Sequence, residues 1–187
     1  MPTLKEAALA MERHLNFPTS RTMTVAQRLR EAELLPAGGP GIPPILDQDD
    51  FVTLLIALAS DTTLHEVVDA ARRAANLTPG GAILGVDLTI NGETAEYWPT
   101  SVPRSARHIL DVIAEMALGD IDSQRDVAAM RIEFVSSWPE ISIHDGDRIR
   151  RFREPGANAV HWGERGHRRS TTINGSALVS AIRSLFS

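Results

Sequence analysis

Six side chains near the start of the chain have the right types to read a nucleic acid. Arg21, Thr22, Thr24, Gln27, Arg28 and Arg30 lie on and just before a short helical pattern. Glutamine can address adenine and arginine guanine in the major groove, while hydroxyls and guanidinium groups also hold phosphates. Those contacts need an exposed helix that presents its N-terminal end. Thr24 and Gln27 have the spacing of a capping box. Val25, Leu29 and Ala32 share one helical face, which leaves Gln27, Arg28 and Glu31 on others. Pro36 and the residues Gly38, Gly39, Pro40 and Gly41 stop the helix.

A second basic cluster comes late: Arg148, Arg150, Arg151 and Arg153, with Arg165, Arg168 and Arg169 beyond the next loop. The planar guanidinium fork suits phosphates and carboxylates. On a strand, Arg148 and Arg150 share one face and Arg151 and Arg153 the other. One set is therefore expected to pair with the many acids of residues 111–147.

Metal chemistry has weaker support. His161, Glu164 and His167 recur every third residue and are competent zinc ligands, but Gly163 and Gly166 interrupt them and deny a common helical face. His144, Asp145 and Asp147 crowd one turn, yet Asp145 followed by Gly146 is what a hairpin requires anyway. No metal and no cofactor are expected. Cysteine is absent, which excludes zinc fingers, thiolate catalysis and disulfide scaffolds. Lys5 is the only lysine, so no later phosphate-binding, Schiff-base or nuclease motif that needs one can form. No serine-nucleophile elbow or phosphate-cradling glycine loop is present. The expectation is a protein that is not an enzyme; a metal-dependent enzyme using the histidines ranks last.

These residues must be positioned by elements that the caps and periods reveal. Thr3 and Glu6 form a capping box for a first helix ending near Asn16. Asp47 or Asp49 can cap a third, Phe51–Ser60, apolar nearly all round. Thr63 and Glu66 open a fourth. The first 77 residues thus read as a four-helix unit. After Thr78–Gly81 the pattern alternates. Two strands flank Asn91 and Gly92, a strong hairpin signal. A helix follows near Ser105–Leu118, then strands at Met130–Ser136, Glu140–His144, Arg148–Phe152 and Ser170–Ile173, and an amphipathic helix over Gly175–Phe186. The expected class is α+β: an N-terminal helical, helix-turn-helix-like module (1–77), then a mainly antiparallel sheet module (82–187) with a C-terminal helix, for dimerisation or partner binding.

Charge follows the same division. The net charge of −5 argues against indiscriminate nucleic-acid binding. Residues 81–150 hold six bases and twelve acids, while residues 151–187 hold six and two, so the acidity is central. The N-terminal fifteen residues carry charges throughout, unlike a signal peptide, and Val52–Ala59 is too short to span a bilayer. A cytoplasmic protein with no membrane association is expected.

The run from Arg21 to Pro36 resembles the recognition helix and exit of MerR-type and winged-helix regulators, where an arginine–threonine start leads to a glycine–leucine–leucine exit and a proline. It is also similar to small regulatory proteins of phages and prophages. The resemblance covers Arg21–Gly41, with Glu33 where the pattern has glycine. It implies sequence-specific DNA binding and transcriptional regulation in a phage or mobile element. Separately, the second module is expected to make the protein a homo-oligomer, most simply a dimer. The alternative is a phage accessory or inhibitor protein whose acidic middle docks on a host or phage protein.

Overall fold

Helices begin where the sequence offers an oxygen to the orphan amides of a first turn. The computed structural model describes residues 1–39, 41–84, 103–157 and 166–187, with the backbone of 87–90 and 93–96. Helix α1 (Leu4–Leu15) has the full Thr3/Glu6 capping box and ends at Asn16 in the left-handed region, φ 60°. Helix α3 (Gln48–Ala59) has an Asp47/Asp50 box, and its apolar residues from Phe51 to Ala59 are buried on every side. Helix α5 (Ala106–Leu118) is capped by Ser105. Helix α7 (Gly175–Phe186) closes the chain as expected.

Two starts differ from expectation. Helix α2 runs Thr19–Glu31, so Thr24 is an interior residue whose hydroxyl donates to the Ser20 carbonyl. Glu12 of α1 supplies the missing oxygens, accepting from the Thr19 amide (3.0 Å) and hydroxyl (2.8 Å). The helix therefore begins one turn early, directly after Pro18. Helix α4 (Val67–Ala75) starts late, because Thr63 and Glu66 close a turn in front of it. A further helix, α6 (Ile121–Ala129), is capped by Asp120 and has no counterpart in the sequence reading. It buries only Val127, so its apolar period is too weak to see.

The strands are β1 (Thr78–Pro79), β2 (Asp87–Ile90), β3 (Glu93–Glu96), β4 (Arg131–Val135), β5 (Glu140–Asp145), β6 (Arg148–Arg153) and β7 (Ser170–Asn174). Strands β2 and β3 form an antiparallel pair; Asn91 and Gly92 between them lie outside the described residues. The other five make one antiparallel sheet, ordered β1-β6-β5-β4-β7. Register places Ile132, Phe134, Ile141, Ile143, Phe152 and Ile173 on one face. All six are buried in one hydrophobic core with the helices, so the molecule is a helical layer on one side of an antiparallel sheet, an α+β fold.

That core is continuous across residues 78–81. It joins Met11, Leu29 and Leu55 of the first four helices to Ile113, Phe134 and Ile182. Helix α7 packs against α1, α5 and α6, and its Phe186 stands edge-on to Phe51 of α3 with ring centroids 6.1 Å apart. Residues 1–77 and 82–187 thus share one core. Among the described residues, no helix is long and apolar enough to cross a membrane.

Candidate functional site: the polar face of the sheet

The α2 residues separate by role. Thr24, Gln27 and Arg28 are exposed on one face, where Glu31 accepts from Gln27 (3.1 Å) and Arg28 (3.0 Å). Thr22 is fully buried and cannot meet a ligand, a correction to its expected role that follows from the early start of α2. Arg21 donates to the Thr62 carbonyl (2.8 Å) and lies 3.9 Å from Asp61. Arg30 donates to the Ala37 carbonyl (2.7 Å) and fixes the loop after the helix. Glu33, where the resembling pattern has glycine, adopts φ 59°, and Leu34 donates back to the Leu29 carbonyl. The sharp exit therefore forms without glycine.

The strand alternation that buries the isoleucines sends Glu133, Glu140, Ser142, His144, Arg151 and Arg153 to the opposite face. They line a concavity of about 980 Å³ together with Arg168, Pro79 and Pro103. Its floor is a charged network. Glu140, 2% exposed, accepts from Arg153 Nε (2.8 Å), Ser142 Oγ (3.0 Å) and Arg168 Nη2 (3.3 Å). Glu133 receives both forks of Arg168, at 3.0 and 2.8 Å, and lies 3.5 Å from His144 Nε2. The Arg168 guanidinium also stacks 5.2 Å over the Trp138 ring.

Hydrogen bonds from Arg168 hold Glu133 down to about 2; burial pushes the other way and loses, with Ser170 and His144 assisting the arginine. Burial pushes Glu140 up, but bonds from Arg153 and Ser142 and the charges of Arg153 and Arg168 bring it below the ordinary range. Both groups stay ionised at neutral pH, which makes them anchors for arginine and not proton donors.

The expected basic patch divides accordingly. Arg153 and Arg168 are committed to the floor. Arg169 donates to Asp61 (3.1 Å), the residue that Arg21 also approaches, so the two arginine clusters of the sequence converge on one carboxylate. Arg148, Arg150 and Arg151 are exposed along β6. Among the described residues, their ion pairs are loose: Arg150 to Asp145 and Arg151 to Glu140, both 4.0 Å. Arg165, His161 and Glu164 lie outside the described residues. Among the described residues, no three histidine, aspartate or glutamate side chains are placed to hold a metal.

Glu133, Glu140 and Ser142 escaped the sequence reading. Their signal was alternation: residues 140, 142 and 144 of β5 are polar around isoleucines 141 and 143, and Glu133 of β4 stands between Ile132 and Phe134. The chain matches no family model, no curated protein and no solved structure.

Proposed function

We propose that this protein is a protein-binding module whose partner docks on β6, the exposed wall of the polar concavity. One observation carries the reading. The floor carboxylates are already satisfied by Arg153 and Arg168, which leaves Arg151 on that face 4.0 Å from Glu140, while Arg148 and Arg150 project from the other face of the strand with only a loose contact to an acid. Exposed arginines on a rigid strand are good interface anchors, because the fork engages carboxylates bidentately. Ionised Glu133 and Glu140 also favour binding over acid–base chemistry. The polarity is opposite to the docking expected from the acidic middle: Asp111, Asp122, Glu133 and Glu140 are engaged within the molecule by Arg107, Arg125, Arg168 and Arg153.

A second reading is a DNA-binding regulator of the phage or mobile-element kind, favoured by Thr24, Gln27 and Arg28 sharing an exposed face of α2. A comparison of variants separates the two. Wild type, Arg28→Glu and the double variant Arg148→Glu/Arg151→Gln are used to capture partners from an extract of cells that make the protein. A protein retained by wild type and Arg28→Glu but lost by the double variant is expected. Retention indifferent to the double variant removes β6 from the role. A gel shift abolished by Arg28→Ala transfers function to α2.

A further inference from the structure

Among the described residues, strand β6 is only half covered on its outer side. β1 pairs with Phe152 and Arg153, and Gly80 donates to the Arg151 carbonyl (2.7 Å). That bond fixes the direction of the Arg151 backbone groups: they face away from β5. In an antiparallel strand this direction alternates residue by residue, so the N–H and C=O of Ile149 face outward too. Among the described residues, no backbone group bonds to them. The described chain turns away from the edge at Gly80 and Gly81, both at left-handed φ (61° and 82°). Unpaired groups in a row along a strand are a template for another strand.

Resting on the reading of β6 as the docking wall, we propose that an acidic, extended segment of the partner adds to this edge as a further strand beside Arg148–Arg151. Charge selects the occupant. Residues 148–153 contain four arginines and no acid. A second copy of this strand would set arginine against arginine, and like charges directly opposite destabilise a pair. Among the described residues, Arg148 makes no ion pair, and the Arg150–Asp145 contact is 4.0 Å and loose. Glutamates at alternate positions of the incoming strand meet Arg148 and Arg150 on one face. On the other face Ile149, 43% exposed, receives a β-branched side chain. Asp145 and Asp147 stand at the turn, so the acidic run belongs beside the strand and not beyond it. Main-chain bonds supply affinity and the arginines supply choice of sequence.

The probe is a fluorescein-labelled eight-residue peptide that alternates glutamate with valine, titrated with the full chain by anisotropy. Saturable binding is expected, weakened at least tenfold when the peptide's alternate amides are N-methylated. A similar loss is expected when lysine replaces glutamate. Ile149→Pro removes an outward N–H that bonds no described backbone group and should weaken binding comparably, with its fold checked by circular dichroism. No binding of the glutamate peptide overturns the proposal. Equal binding of the N-methylated peptide also overturns strand addition while leaving β6 as a contact surface. Capture indifferent to Arg148→Glu/Arg151→Gln is the separate result that removes the surface itself.

Discussion

Glu133 and Arg168 meet through two hydrogen bonds, and the glutamate is largely sheltered, with 17% of its side chain exposed. Its pKa falls from an ordinary 4.5 to about 2. A carboxylate depressed in the folded state stabilises the fold fully above its unfolded pKa, and that contribution drains away as pH falls from about 4.5 towards 2. The shift corresponds to about 2–3 kcal/mol after some allowance for solvent. Glu133→Gln should therefore be less stable than wild type by about that amount at pH 7, and the gap should fall to roughly half or less by pH 3 and close only below about pH 2. Urea titrations at the two pH values measure it; a gap of the same size at pH 3 as at pH 7 would mean that the loss comes from packing, not charge. Glu33 illustrates a different residue-scale point. A glutamate holds a left-handed position because the helix exit around it, from Arg30 to Leu34, is hydrogen-bonded on both sides.

At the scale of elements, the junction of β7 and α7 is the tightest place in the fold. Gly175 begins α7 one residue after the strand ends, and its amide bonds the Met130 carbonyl at 2.9 Å. A Cβ there would collide with the Val127 carbonyl oxygen and crowd that of Met130. Both obstacles are backbone, so α6 would have to shift. Gly175→Ala should destabilise at or above the top of about 1–3 kcal/mol. Gly166, with no described residue's atom within 4 Å of its Cβ position, is the control, and Gly166→Ala should leave the melting temperature nearly unchanged. Thermal melts of both variants check this. Helices with local signals were legible in the sequence: α1 and α3 through their caps, and α5 and α7 through their apolar stripes. Elements defined by distant partners were not. Nothing within Thr78–Pro79 announces a strand; it is one because Arg153 and Phe152 lie alongside. The start of α2 was hidden for the same reason, since the oxygens that cap it belong to Glu12 of α1.

For the whole molecule, the change of pattern near Thr78 marks where helices give way to strands, and the core ignores it. Residues 1–80 alone would lack α5 and α7, which cover α1 and α3. That fragment should show no cooperative urea transition, in contrast to the full chain; a cooperative transition would establish the helical part as an independent unit. The arginines of the candidate site were visible from their number. Their division into floor and wall was not, because it depends on register: Glu140 opposite Arg153, and Glu133 reached by Arg168 from 35 positions away.

The packing of α7 on α1 also sets a clock. Synthesis at roughly 5–20 residues per second leaves α1 waiting on the order of 10–30 seconds before α7 emerges. Helix α1, whose Leu4, Ala7 and Met11 are buried in the finished protein, lacks its α7 contacts for the whole interval. The yield of the full chain in a cell is therefore expected to fall when chaperones that hold nascent chains are depleted, by more than its final stability suggests; soluble yield with and without that depletion measures it.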